Sequence, residues 1–151
     1  RPAPPARPAP GAAQPPPAAA GRDVPDRRLS AAATRIHHIN FVVRDLDAAC
    51  TRFERLLGLD AFERIEHPPR GSTLARTRVG ESWLILVCPT DPESVPGRFL
   101  AEHGEGFFLL SVGAETLPED VRRRKGIEGW QVADVGDAWG AVLQLTEDSG
   151  R

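Results

Sequence analysis

The pattern of apolar and polar residues is clearest in residues 35–58, where its period changes. In the first part, Ile39 and Phe41 alternate with His38 and Asn40. Successive side chains of a strand point to opposite faces, so the two apolar residues share one face and the two polar residues the other. This alternation predicts a strand with a core side and a polar side.

The second part of this stretch has the spacing of a helix. Apolar residues recur every three or four positions from Leu46 to Leu57, which gives one apolar stripe. Asp45 is a suitable N-cap residue and Gly58 a suitable helix end. The sequence therefore predicts a strand, a tight turn and a helix, with His38 on the strand face away from the helix.

Similar segments follow along the rest of the chain. A short helix is expected between a capping Ser94 and a terminating Gly104, and a further helix over residues 118–125. The predicted strands cover residues 59–67, 73–79, 83–88, 107–112, 130–135 and 141–146. The order β-α-β-β-β, followed by β-α-β-β with room for one more very short strand, indicates an internal repeat whose second unit is short by about one strand.

Residues 1–34 have a different composition, rich in proline and alanine and without apolar periodicity. Such a segment cannot bury enough apolar surface to offset the entropy of ordering it. We therefore predict a disordered linker or tail over residues 1–34 and a single domain over residues 35–151.

Charge and composition exclude some classes of function. The formal net charge is −2, so no basic surface for nucleic acid is expected. No apolar run approaches the roughly 20 residues that span a bilayer. Cys50 and Cys88 fall in a predicted helix and a predicted strand, where we expect them to be reduced and buried as small apolar residues. Because thiols stay reduced in the cytosol, a cytoplasmic location is expected.

The repeat resembles the vicinal oxygen chelate superfamily, which includes glyoxalases, bleomycin resistance proteins and dioxygenases. The segments that carry the likeness are HHINFVVRDLDAACTRFERLLGL, LVCPTDPESVPGRFLAEHGEGF and GAVLQLTED, within residues 36–148. They are most similar to the methylmalonyl-CoA epimerase type. The resemblance implies an α+β fold, in which paired βαβββ modules, about residues 36–89 and 106–148, form a cupped mixed β-sheet with the second module shortened.

The resemblance also implies a divalent metal held by four side chains in the cup. Those positions fall on His38, Ile85, Leu109 and Gln144, and the carboxylate base of the epimerases falls on Leu74. Isoleucine and leucine offer no donor atom, and two neutral ligands would leave a divalent charge uncompensated. We therefore expect no metal and no other cofactor, unless replacement ligands complete the site.

The favoured function is binding of a small molecule in the cup by a protein related to methylmalonyl-CoA epimerase. An apolar wall with a few polar groups is typical of ligand pockets. The expected ligand-binding residues are Trp83, Ile85, Leu109 and Val142 for the wall, and His38, Asn40, Ser111 and Gln144 for orientation. His38 is also the candidate catalytic base if the protein is an enzyme.

Two other functions remain open at this point. One is an active epimerase, lyase or isomerase whose replacement metal ligands include a residue such as His67. The other is an interaction domain of a longer protein. A shortened second module would expose a sheet edge, so a homodimer is a possible partner state.

Two further expectations concern residues outside this set. Alternation places His37 on the face opposite to His38. The basic run at residues 122–125 is expected to form a solvated helix face.

Overall fold

In the computed structural model, which describes residues 32–67 and 71–148, eight strands form one mixed sheet. The sheet order is β2-β3-β4-β1-β5-β8-β7-β6. The strands are β1 (Ala33–Val42), β2 (Glu63–His67), β3 (Ser72–Val79), β4 (Ser82–Pro89), β5 (Gly106–Ala114), β6 (Arg124–Lys125), β7 (Gln131–Ala138) and β8 (Ala141–Glu147). The helices are α1 (Leu46–Leu57) and α2 (Val95–His103).

The topology confirms the internal repeat. β1 and β5 pair antiparallel at the centre, and each also pairs in parallel with the last strand of its own module, β4 or β8. The second module has four strands, β5 to β8, so the expectation that it lacks a strand is wrong. One of these four is the very short β6, with two residues. β2 and β6 form the two edges of the sheet.

The predicted linker lies mostly outside the described residues, since residues 1–31 are not among them. β1 begins at Ala33. The first strand thus begins two residues before the predicted domain start at residue 35, and Ala33 already pairs with Ala114 of β5.

Both helices of the first half have the predicted ends. Asp45 caps α1 by accepting a hydrogen bond from the Ala48 amide, and Gly58 ends it with a φ of 62°. Ser94 caps α2 in the same way. α1 packs on the outer face of the sheet, where Leu46 and Cys50 join the core. The apolar residues of α2 pack against the core of the inner face.

The helix predicted over residues 118–125 is wrong, because the chain passes there through turns and enters β6. Pro118 is compatible with a first helical turn, but the pairing of Arg124 and Lys125 with β7 keeps the end of the segment extended. Leu117 and Val121 are nevertheless buried against Ala133. An irregular segment therefore covers the outer face of the second module, as α1 covers that of the first.

A bulge in β1 overturns the expectation for His37. Ile36 pairs with Val112 and His38 with Ser111, so two residues of β1 face one residue of β5. The extra residue interrupts the alternation of side chains. His37 consequently lies beside His38, with 2.9 Å between their Nδ1 atoms.

None of the helices in the described ranges is both long and apolar enough to cross a membrane.

Candidate functional site

The inner face of the sheet encloses a cavity of about 60 Å³. Its polar lining comes from β1, β3, β6 and β8, and its apolar lining from β3, β4, β5, β7, α2 and the segment after β6. The lining residues include His38, Asn40, Leu74, Leu109, Arg124, Ile127, Trp130 and Gln144.

Half of the eight predicted ligand-binding residues lie at this cavity. They are His38, Asn40, Leu109 and Gln144. The adjacent strands β1, β5 and β8 carry them, and strand pairing aligns Asn40 with Leu109. The predicted polar face of β1 therefore does face the concave side of the sheet.

The other four residues lie nearby but do not line the cavity. Ile85 and Val142 belong to the apolar core of the inner face. Ser111 is fully buried and its hydroxyl lies 2.6 Å from that of Thr146, so it has a partner within the protein. Trp83 lies under the guanidinium groups of Arg76 and Arg78.

His38 is buried between His37 and the Trp130 ring, which stacks on it with centroids 5.3 Å apart. Burial lowers the pKa of His38 to about 3, and the charge of His37 adds to this shift. The Gln144 side chain partly offsets it, because it can accept a hydrogen bond from the protonated ring. Burial and the charge of Arg35 lower the pKa of His37 to about 4. Both rings are therefore neutral at neutral pH, and His38 is a weak base there.

Two amide oxygens at the cavity have no partner among the described residues. They are Oδ1 of Asn40 and Oε1 of Gln144, and both are buried. The other end of the Gln144 amide donates a 3.0 Å hydrogen bond to Asp134. An unpaired buried acceptor costs about 1–3 kcal/mol, so both oxygens would gain from a donor group placed in the cavity.

Arg124 is a cavity residue that sequence reasoning missed. The basic run was assigned to a solvated helix face, but the structure places Arg124 on β6, where it donates to Asp134 at 3.0 Å. No local signal identified Arg124, because Pro118 suits the first turn of a helix and the pairing of Arg124 with Val132 of β7 is a tertiary contact.

Sequence reasoning also did not identify Arg76, whose side chain the structure shows to be only 5 % exposed. Its Cζ atom lies 4.2 Å from the centre of the Trp83 ring, and it pairs with Glu63 and Glu128. Alternation from Leu74, which was assigned to the cup, would have placed Arg76 on the same face.

The four metal positions implied by the resemblance lie on four adjacent strands, β4, β1, β5 and β8. Ile85 and Leu109 are packed in the core, with 0 % and 3 % exposure, and their side chains carry no donor atom. Residues 32–67 and 71–148 contain no cluster of three His, Cys, Asp or Glu side chains that could hold a metal ion. The donor set at these positions does not fit the divalent metal of the family.

Comparison with known families agrees with this architecture. Residues 37–142 match the model of the glyoxalase/bleomycin resistance protein/dioxygenase superfamily. The chain belongs to this superfamily. Among curated proteins, none matches the chain significantly.

Solved structures of methylmalonyl-CoA epimerases are similar in fold. A variant of the Streptomyces coelicolor enzyme in complex with 2-nitronate-propionyl-CoA is 26 % identical, with a TM-score of 0.68, over 76 % of this chain and 97 % of that one. A methylmalonyl-CoA epimerase in complex with methylmalonyl-CoA and NH4+ is 26 % identical, with a TM-score of 0.67, over 76 % and 94 %. The Mycobacterium tuberculosis enzyme is 22 % identical, with a TM-score of 0.68, over 80 % and 92 %.

Proposed function

We propose that this superfamily member binds a small organic molecule in its cup without a divalent metal. The observation that carries the proposal is a pair of amide oxygens, on Asn40 and Gln144, that have no hydrogen-bond partner within residues 32–67 and 71–148 and lie at a cavity with an apolar wall. Two acceptors beside a neutral histidine suit a ligand that presents N–H or O–H groups.

The replaced metal positions support the same proposal. Ile85 and Leu109 are buried hydrocarbon at two positions that the resemblance assigns to metal ligands, and Leu74 falls at the position that it assigns to the carboxylate of the epimerases. A neutral apolar floor favours an uncharged part of a ligand and disfavours a bare divalent ion. The absence of a cofactor is part of this proposal.

Metal content provides the direct test. The purified chain should carry no stoichiometric Co, Ni, Mn or Zn, and adding these ions should leave its melting temperature unchanged. H38A would show whether any shift depends on the cup, and H103A, on the exposed end of α2, is the matched control. A stoichiometric metal that stabilises wild type and H103A but not H38A would contradict the proposal.

Ligand binding is the positive test. A screen of small uncharged molecules by thermal shift should find stabilising compounds, since a ligand that binds only the folded state raises its stability. Their affinity should fall about tenfold in Q144L, as expected when a hydrogen bond worth about 1.4 kcal/mol is removed. Equal affinity for wild type and Q144L would place the ligand elsewhere.

The second candidate function is isomerisation of an acyl-CoA ester. It is favoured by the likeness to an epimerase whose complex contains methylmalonyl-CoA. It requires a base and a group that stabilises an enolate, and His38 with a pKa near 3 is poorly suited to remove a carbon-bound proton. Proton exchange into methylmalonyl-CoA above background, lost in H38A, would favour this function instead.

Pairing of two copies through a sheet edge also stays a prediction.

A further inference from the structure

We propose that Arg76 is an anchor for a carboxylate group of the ligand, and that Glu128 holds this position as an internal competitor. The inference rests on the proposed function, because it names the chemical class of molecule that would enter the cup. Three features support it: the surroundings of Arg76, the segment that carries Glu128, and the space on either side of that segment.

The guanidinium group of Arg76 is buried but incompletely paired. Its Nη1 atom has no hydrogen-bond partner among the described residues, and the whole residue is 5 % exposed. The group lies against the Trp83 ring at 4.2 Å and near the Trp130 ring at 5.9 Å. A planar cation between aromatic rings is well placed for a flat carboxylate, which it can bind through two parallel N–H···O bonds.

The two carboxylates that now pair with Arg76 leave that arrangement unfilled. Glu128 contacts only Nη2, and Glu63 lies 3.4 Å from Nε. Their side chains are 56 % and 64 % exposed, so each gains little from its ion pair in water. A ligand carboxylate that contacted both terminal nitrogens could therefore displace Glu128.

The backbone around Glu128 also favours a change of position. A single 3₁₀ turn, Ile127–Gly129, carries Glu128 at a φ of 53°, which is a strained conformation for a residue with a side chain. Gly129, at a φ of 79°, follows Glu128, and Gly126 precedes the turn. We call this stretch, residues 126–130, the cover segment.

The cover segment separates two spaces that are unequal in size. On one side is the 60 Å³ cavity with His38, and on the other an open cleft of about 500 Å³ with His37, Arg78 and Trp83. Trp130 lines both spaces, and Glu128 lines the cleft. The cavity is well below the roughly 300–1,000 Å³ of ordinary ligand sites, whereas the cleft already lies within that range. A ligand would therefore lie mainly in the cleft and extend past Trp130 into the cavity.

These observations together define the ligand. Its carboxylate would replace that of Glu128 on Arg76, its flat or apolar part would lie against Trp83 and Trp130, and its polar end would meet Asn40 and Gln144. The site would therefore select a small aromatic or branched carboxylic acid over its uncharged amide.

The test compares 4-hydroxyphenylacetate, whose phenol can donate to the Asn40 and Gln144 oxygens, with 4-hydroxyphenylacetamide, by calorimetry and by tryptophan fluorescence, on the full chain. Wild type should bind the acid more tightly than the amide. E128Q removes the competitor and should tighten binding of the acid about threefold to fivefold, as the loss of an ion pair worth roughly 0.7–1 kcal/mol predicts. Binding of the amide should be unchanged in E128Q.

Three further variants make the result specific. E63Q, which removes the other carboxylate of Arg76, is the matched control and should change the affinity for the acid by less than about twofold. R76M should abolish the preference for the acid. R76K, which keeps the charge but not the planar fork, should weaken binding of the acid at least about fivefold and serves if R76M does not fold.

The outcomes separate this proposal from the proposed function. Equal affinity for acid and amide, or no effect of E128Q beyond that of E63Q, would overturn the role of Arg76 while leaving binding in the cup intact. Binding of neither compound to wild type or E128Q would overturn the anchor proposal, and an empty screen of uncharged ligands is needed to overturn the proposed function as well.

Discussion

At the scale of single residues, the His37–His38 pair has the largest influence on the site. One bulge brings the two rings together, and only one of two Nδ1 atoms 2.9 Å apart can donate the hydrogen between them. Trp130 contacts both rings. The same burial that places these histidines at the cup also keeps them neutral.

The histidine pair should make the protein less stable in acid. The pKa values of about 4 and 3 lie below the ordinary 6.5, so the unfolded chain takes up protons first as the pH falls. The free energy of unfolding should be highest above pH 6.5 and decrease by at least about 3 kcal/mol toward pH 4. Urea denaturation at a series of pH values measures this decrease.

The variants H37Q and H38Q should each flatten that profile, whereas H103Q, on the exposed end of α2, should keep the wild-type slope. A wild-type free energy of unfolding that stays level from pH 6.5 to pH 4 would show that these histidines are protonated in the folded protein.

At the scale of elements, local sequence determined most helices and strands, and tertiary packing decided the exceptions. Asp45 and Gly58 bound α1 as expected. Residues 118–125 carry helix-compatible side chains but adopt an irregular path, because pairing with β7 keeps Arg124 and Lys125 extended and burial of Leu117 and Val121 does not require a helix. β6 then forms only two pairs with β7, at the edge of the sheet.

Gly97 in α2 provides a test in which propensity and packing predict opposite signs. Alanine is a better helix former than glycine by about 1 kcal/mol, so propensity alone predicts that G97A stabilises the protein. A Cβ at this position would instead overlap the backbone oxygens of Asp91 and Pro92. We expect G97A to lower the free energy of unfolding by about 1–3 kcal/mol.

Thermal or urea denaturation measures this difference. A101G, at an exposed position of the same helix, is the reference for propensity alone and should cost about 1 kcal/mol. A more stable G97A would show that the turn at Asp91 moves aside easily.

At the scale of the whole molecule, the two modules are held together by the central β1–β5 pairing and by contacts between the ends of the described chain. Arg35 near the start of β1 donates to Asp148 after β8 at 2.7 Å, and the Asp148 amide donates to Ala114. The hydrogen bond and charge of Arg35 lower the pKa of Asp148. This link joins the first strand of one module to the last strand of the other.

Loss of that link should destabilise the whole fold. D148N should lower the free energy of unfolding at pH 7 by about 2 kcal/mol, since both side chains are less than 20 % exposed. D47N, which removes the exposed ion pair with Arg64, should cost less than about 0.5 kcal/mol. The Asp148 contribution should persist above its ordinary pKa of 3.8 and disappear below it, a lower range than that of the histidines.

Denaturation of D148N and D47N in parallel measures both values. Equal effects of the two substitutions would mean that the Arg35–Asp148 contact does not hold the modules together.

The sequence by itself determined the repeat, most elements and the face of β1 that carries His38 and Asn40, because apolar period and end-capping residues act over a few neighbouring positions. Only the tertiary structure decided that a bulge turns His37 toward His38, that Ser111 is paired with Thr146, that Arg124 and Trp130 line the same cavity, and that Arg76 lies near Trp130. These contacts join residues far apart in the chain, and a break in strand pairing leaves no local signal.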